Sequence, residues 1–564
     1  MTRTIRAFIL GTTLHHPTAA SVRHPFRLAP HRVSLRALAL LTLFLSLSII
    51  NRSAAQPGTL DPTFGEGGLV VIENEGFTAV GEDGAGRLLA VSVNASFETV
   101  VRRTLADGSP DETYGTDGAL TIVLGAALLF LPTDIVVLDD GSAYLSGGLF
   151  QQDEVPEFPA LVVLRITEAG ALDAPFGEDG VVVFDGEGHP PFVNDALYGA
   201  PIAADPAGGV FVAGAVGETP AIIAVARLDA AGALDPSFDS NPEDGVDGLA
   251  IAFLDPNTGN PAFLGVDEAG RVTVAGTAAT GRAQAEAVAA RFEPDGPLDA
   301  GFGDGGVAYA LSPSGFNTGL GGVLTEAGLV MAGYDRAGST VQAYAVRLDP
   351  SGAIDPSFGD GGFVFAPGPS GFSDSNGSVA VDEEGRLLLA AHRLEEALFD
   401  DLGEWLVFRF LADGTPDAAF GDGGTVLLDD ELPEQGPAPS LVLTDDSAVL
   451  AGVVQNEEAT FVAAVLARLQ TTAGTSADPA PAALAAGAPF PNPTGGTVRI
   501  PLGRATSDVR VETFDVLGRR VLPTERVPAG TPTATVDLET LPAGVYLVRL
   551  TDGRASQTHR VVRY

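Results

Sequence analysis

Seven times the chain returns to one short phrase of Asp, Pro, an aromatic and glycines, as in LDPTFGEGG at 60–68 and IDPSFGDGG at 354–362. The aromatics are Phe64, Tyr114, Phe176, Phe238, Phe302, Phe358 and Phe420, so six intervals span 356 residues, about 59 each. A period of that length suits one four-stranded blade of a β-propeller and is long for the coil of an open β-solenoid, the rival architecture. Within each period, runs such as VDEAGRVTVAG at 266–276 and VDEEGRLLLAA at 381–391 put a turn between two alternating segments, a hairpin signal. LVVLRI at 161–166 and GVVVF at 180–184 add further strands. The expected fold is therefore all-β: a seven-bladed propeller over 57–470, followed by a small C-terminal β-sandwich of immunoglobulin-like type.

An arginine stands 11 residues before six of the seven aromatics, at Arg103, Arg165, Arg227, Arg291, Arg347 and Arg409. Each has an aspartate eight residues on, across an Asp/Pro/Gly turn: Asp111, Asp173, Asp235, Asp299, Asp355 and Asp417. A hairpin would bring the two opposite each other, where opposite charges stabilise a sheet by a few tenths to about 1 kcal/mol. The first phrase lacks an upstream arginine, while Arg468 has the same setting but no phrase after it. The chain reads as cut from a circle, and Arg468 is expected to pair with Asp61 and close the ring. The aromatics are expected to pack between blades and the glycines to serve chain reversals. These are scaffold roles, so function is sought in irregular loops.

One such loop is the fourth copy, where Asp239 replaces glycine and SNPEDGVDG follows. It offers Asp239, Asn241, Glu243, Asp244 and Asp247, hard oxygen ligands of the kind calcium prefers, though not at EF-hand spacing. An acidic turn without an ion is the plainer alternative. No cofactor is required by anything else in the sequence, and calcium is the one ion the residues suggest.

Outside the first 55 residues the histidines are His189, His392 and His559, widely separated, with no HExxH, no phosphate-binding loop and no cysteine in the chain. A histidine-dependent triad is disfavoured. Two-carboxylate glycoside hydrolysis stays open, because 65 acids between 57 and 470 make any pair uninformative. Trp405 is the sole tryptophan, which argues against an extended sugar-stacking platform. The same stretch has 14 arginines, giving a net charge of −51, whereas 488–564 carries ten arginines against seven acids. Such a surface excludes nucleic acid as a partner. It suits either a salty habitat or simply a well-solvated protein.

Residues 1–55 hold seven arginines and no acid, then the 16-residue run LRALALLTLFLSLSII at 35–50, then Ser53, Ala54 and Ala55. This reads as a signal peptide with cleavage near Ala55, and Val33 is an alternative start. A membrane anchor is the competing reading, although the run falls short of the roughly 20 residues a span needs. No transmembrane segment is expected in the mature, monomeric protein. Residues 471–487, rich in Ala, Pro and Thr, form a linker.

Beyond the linker, 488–564 alternates short strands and turns around recognisable elements: Pro491, Asn492 and Pro493 at the start, Asp515, Gly518 and Arg519 in FDVLGR, Gly544 and Tyr546 in LPAGVYLVRL, and Arg560 to Arg563 at the end. These resemble the type A C-terminal sorting domain of the type IX secretion system. That resemblance implies passage through the outer-membrane translocon, which becomes a partner, followed by release or attachment to surface lipopolysaccharide. An adhesive immunoglobulin-like module is the alternative. Residues 60–470 are similar to the delta-60 repeat propellers, whose units carry the LDPSFGxGG phrase; this implies a fold and no catalytic residues. Two functions follow: a secreted or cell-surface propeller that binds a glycan, protein or matrix component, and a secreted polysaccharide-degrading enzyme using loop carboxylates.

Overall fold

The computed structural model describes residues 57–472 and 494–563, apart from short internal stretches. Those stretches are 126–127, 152–159, 185–191, 194–199, 217–221, 240–247, 255–258, 279–284, 339, 368–372, 395–402, 429–431, 433–434, 437–438, 445 and 456–461 in the first part, and 503–508, 516–518, 529–530, 532 and 552–555 in the second. Every regular element among the described residues is a β-strand.

Among the described residues between 57 and 472, the pairings sort into seven antiparallel groups of four strands, numbered here as blades 1 to 7, with the two-residue strand Phe192–Val193 bridging blades 2 and 3. Blade 1 is built from Glu75–Glu82, Leu88–Asn94, Thr99–Thr104 and Ala119–Ile122, paired in that order. The innermost strands of blades 2 to 7 are Leu128–Val137, Ile202–Ala204, Gly259–Val266, Gly321–Thr325, Ser373–Val381 and Ser440–Leu443. Each abuts the next, and Ser440–Leu443 abuts Glu75–Glu82, so the seven form a closed ring. This is a β-propeller.

Its core is not one mass but seven layers, one at each junction between blades. Alternation along each strand sends one set of side chains to the blade before and the other to the blade after. Each layer contains one repeat aromatic, with Phe64 between blades 7 and 1, Tyr114 between 1 and 2, and Phe420 between 6 and 7. All seven aromatics are at most 2% exposed.

The ring closes as the circular reading expects. Leu69–Glu73, the first strand among the described residues, is the outermost strand of blade 7, pairing antiparallel with Val462–Gln470 from Leu69 opposite Ala467 to Glu73 opposite Ala463. A bridge between Leu60 and Leu469 extends the ladder.

The C-terminal part has two sheets. One pairs Thr497–Pro501 with Thr533–Asp537; the other places Val509–Asp515 between Glu525–Val527 and Gly544–Thr551, with Ser556–Arg563 outermost. Val498, Ile500, Ala534 and Val536 of the first share a core with Val509, Val511, Val548, Leu550 and Val561 of the second.

Candidate functional site

The residues that the repeat reiterates form a clamp between neighbouring blades. In blade 5, Arg347 Nε donates to Asp355 Oδ2 at 2.8 Å, its Nη1 donates to the Ala412 carbonyl of blade 6 at 2.7 Å, and its guanidinium lies 4.6 Å over the Phe358 ring. Asp355 is fixed in turn, accepting from the Ser357 amide at 2.9 Å and hydroxyl at 2.7 Å. Beside this, Gly359 N donates to Asp413 O at 2.8 Å. Arg103 with Asp111 and Tyr114, Arg291 with Asp299 and Phe302, and Arg409 with Asp417 and Phe420 repeat the arrangement, with Arg–Asp separations of 2.7–2.8 Å. Arg165 lies 3.1 Å from Asp173 but sits over Tyr144 instead.

At the closure, Arg468 Nε donates to Asp61 Oδ2 at 2.8 Å, Nη2 to Thr63 Oγ1 at 3.1 Å and Nη1 to Ala106 O, with the guanidinium 4.6 Å over Phe64. Blade 6 is clamped by both ends of the propeller: Arg409 Nη1 donates to Thr471 O, and Gly421 N to Pro57 O at 2.9 Å. Burial works to raise the Asp61 carboxyl, but Thr63 and Arg468 together hold it below its ordinary value. Thr113, ahead of burial in magnitude, does the same for Asp111, and Ser357 for Asp355.

Blade 3 departs from the expected pairing. Arg227 Nε goes to Asp205 at 2.7 Å, and Asp235 is left with Nη1 at 3.3 Å. The cause is local: the turn after Asp205 reads PAGG and carries no arginine, whereas the corresponding aspartates of blades 1, 4 and 6 have Arg87, Arg271 and Arg386 four residues on. A second departure is Tyr114, whose hydroxyl has no hydrogen-bond partner among the described residues.

The innermost strands enclose a channel of about 410 Å³ to which all seven contribute, including Thr78, Pro201, Phe263, Gly321, Ser378 and Ser440. Bulges at Phe77/Ala79, Pro132/Asp134, Pro261/Phe263 and Asn376/Ser378 break the ladder there and turn backbone toward the channel. Among the described residues Asp134 is the one ionisable residue of the lining. Its Oδ2 accepts from Ile202 N of blade 3 at 3.1 Å and its Oδ1 from Ile135 N at 2.9 Å. Burial nevertheless pushes its pKa up to about 6, against the lowering by those two N–H groups. Thr133 Oγ1 accepts from Ala200 N at 3.1 Å, so two adjacent residues of blade 2 pin the inner strand of blade 3.

The two ends of the blades differ. One end carries the repeat phrases and short hairpin turns. The other carries the connections from second to third strand, whose length varies from two residues, between Ala337 and Thr340, to eight, between Gln151 and Ala160 and between Leu394 and Gly403, and the passages from blade to blade, of ten residues between Ala310 and Gly321 and twelve between Leu427 and Ser440. In blade 1 this end presents Phe97, 67% exposed and at φ 60°, in a hairpin loop stapled by Asn94, whose Oδ1 accepts from Ser96 N at 2.9 Å and Glu98 N at 3.0 Å. Sequence reasoning missed Phe97, since a left-handed aromatic leaves no pattern to read, and missed Asp134, one acid among many.

Asp239 belongs to the described residues, its amide donating to Asp295 O at 3.0 Å, while Asn241, Glu243, Asp244 and Asp247 of the proposed calcium loop lie outside them, as does His189. His392 is buried with Nε2 3.1 Å from Gln435 O, and Trp405 is fully buried with Nε1 donating to Gly436 O at 3.0 Å, which takes it out of any sugar platform.

In the C-terminal part, Tyr546 OH donates to Pro542 O at 2.7 Å beside Gly544, and Arg563 Nη2 donates to Glu539 O at 2.9 Å. Arg519 and Arg560 are exposed. Asp515 ends its strand opposite Tyr546, and Pro491, Asn492, Pro493 and Gly518 lie outside the described residues.

Residues 488–563 match the secretion system C-terminal sorting domain family, and residues 329–358 match a β-propeller domain of unknown function, DUF5122. The chain thus carries a type IX sorting domain at its C-terminal end and, within the propeller, a segment of the DUF5122 type. The sorting domain sends the protein by type IX secretion to the cell surface or beyond, and makes the secretion machinery a partner. Among the described residues of propeller and sorting domain, no helix is long and apolar enough to cross a membrane. No curated protein matches the chain. Solved structures to which it is similar include a fungal alcohol oxidase of the AA5 family in complex with copper (12% identity, 89% of this chain and 100% of that one, TM-score 0.37) and polysaccharide lyase Uly1 (8%, 75% and 94%, TM-score 0.35). An aldose sugar dehydrogenase from Streptomyces coelicolor is a third (13%, 71% and 98%, TM-score 0.30). Likeness at this level carries nothing about the chemistry of the propeller.

Proposed function

We propose that the exported protein is a non-catalytic binding module: a monomeric, seven-bladed propeller that holds a glycan, protein or matrix component outside the cell. The observation that carries this reading is the division of labour between the blade ends. The arginines, aspartates and aromatics that the sequence reiterates are engaged in clamps at one end. Variation in length, and the exposed Phe97, gather at the other, where a rigid scaffold presents loops for recognition. Residues 1–55 serve as the signal peptide, 471–487 as the linker and 488–564 as an immunoglobulin-like sorting address; Asp239, Asn241, Asp244 and Asp247 are the candidate calcium ligands.

The test incubates the purified secreted chain with insoluble polysaccharides and cell-surface preparations while reducing-end release is followed in the same tubes. Depletion without release is the expected outcome. Release that one carboxylate substitution abolishes would replace this reading with that of a polysaccharide-degrading enzyme.

A further inference from the structure

We propose that a groove between blades 4 and 5, at the clamp end of the propeller, binds a basic, partly apolar peptide segment. The groove arises from a missing ion pair. In blades 1, 4 and 6 the turn between the first two strands is built on an aspartate that accepts from the backbone and holds an arginine four residues on: Asp83 with Arg87, Asp267 with Arg271 and Asp382 with Arg386, Nε to Oδ2 at 2.6–2.8 Å. In blade 1 this arginine leans across the junction to Glu168 of blade 2 at 3.3 Å, whereas at the junction of blades 4 and 5 Pro350 stands in Glu168's place and offers Arg271 no carboxylate. Blade 5 has Thr325 in the aspartate's place, no arginine, and a turn cut to Glu326 and Ala327, with Thr325 paired directly to Gly328. Less turn covers the junction, and a groove of about 510 Å³ opens.

Its floor is apolar, made by the half-buried Val266 and Leu324 over the buried Leu329 and Phe302. Its two arginines are already neutralised, Arg271 by Asp267 at 2.8 Å and Arg291 by Asp299 at 2.7 Å, and Arg291 Nη1 also donates to the Pro350 carbonyl at 2.7 Å. Among the described residues Glu268, Glu326 and Asp349, around the opening, have no cationic partner. Ser351 holds the Asp349 carboxyl below its ordinary value, chiefly through its hydroxyl, so that group is ionised at neutral pH. Apolar floor and acidic rim together fit an aliphatic stem ending in a cation, as arginine and lysine side chains provide. The volume lies within the roughly 300–1,000 Å³ of small-ligand sites and admits a few side chains. The net charge of −51 over 57–470 repels anionic ligands. The site lies at the blade end opposite the long connections, and does not depend on what they bind.

The probe is a fluorescein-labelled peptide of alternating arginine and leucine, titrated against the secreted chain at physiological salt and read by fluorescence anisotropy. Saturable binding is expected, weakened about tenfold or more by Glu326→Arg, a loss equivalent to one strong contact. Glu178→Arg, an exposed reversal in blade 2, should leave it within about twofold, since its charge lies beyond close range. A second variant grafts the sequence of 382–386 in place of 325–328; it refills the groove and should abolish binding, with unchanged circular dichroism confirming the fold. The proposal is overturned by absence of binding, by equal loss in Glu178→Arg, by retention in either groove variant, or by a peptide of arginine and glycine binding equally well, which would reduce the effect to overall acidity.

Discussion

Replacing Arg468 with alanine tests the closure of the ring. The guanidinium makes a charge-assisted bond to Asp61 at 2.8 Å, caps the Ala106 carbonyl of blade 1 and lies 4.6 Å over Phe64. Losing one partner of a buried pair costs about 3–5 kcal/mol, and side-chain exposures of 14% and 11% place this one at the lower end, about 3 kcal/mol. That is roughly a hundredfold in an opening equilibrium. The perturbed junction is the one at which the two ends of the propeller meet, so the loss should appear locally. Hydrogen exchange should show amides of Leu69–Glu73 and Val462–Gln470 losing about two decades of protection, while blade 3 changes little. Arg347→Ala removes similar contacts at a junction crossed by continuous chain and should leave the closing ladder protected. Acid should act similarly. Because the Asp61 carboxyl is held below its ordinary value, the stability it contributes is complete above about pH 4 and is lost as pH falls through the folded-state value. Uniform loss of protection, or equal opening of the ladder in Arg347→Ala, would refute the closure argument.

Tyr114→Phe removes a buried hydroxyl with no partner among the described residues and should stabilise the protein by about 1 kcal/mol, read as a raised urea midpoint. Asp134 works in the opposite sense to Asp61: with its pKa raised to about 6, its neutral form favours folding below about pH 4, and that contribution is lost as pH rises through 6. Asp134→Asn should therefore stabilise at pH 8 by up to about 3 kcal/mol and give no gain at pH 4, by urea titration at both. Phe97→Gly should leave the melting temperature unchanged or raise it, since a left-handed aromatic costs about 1–2 kcal/mol, while weakening capture of the extracellular ligand. A fall in melting temperature with capture intact would make Phe97 structural.

The clamp was legible because it repeats. Arg347 and Asp355 alone are two charges eight apart; the same spacing in six copies, with Arg468 and Asp61 as the leftover halves, points to a ring. Strands were legible from alternation, as in Val272–Ala278. What recurs only once was not: Asp205 taking Arg227 depends on an arginine missing from a turn elsewhere in the blade. The raised pKa of Asp134 depends on burial inside a channel that forms only when seven strands meet. The groove at blade 5 follows from a turn shortened by one residue, visible in the sequence but without meaning until the neighbouring blade is placed against it.

The seam between Leu69–Glu73 and Val462–Gln470 also sets a timetable for export. A chain threaded amino end first delivers one side of that seam almost at once and the other only after some 390 further residues have crossed. Before residues 440–470 cross, blade 7 has only one of its four strands, and no ring can exist. The propeller thus reaches its final form late, when the sorting domain at 488–563 is next to follow, so that folding of the cargo and arrival of its address fall close together in time.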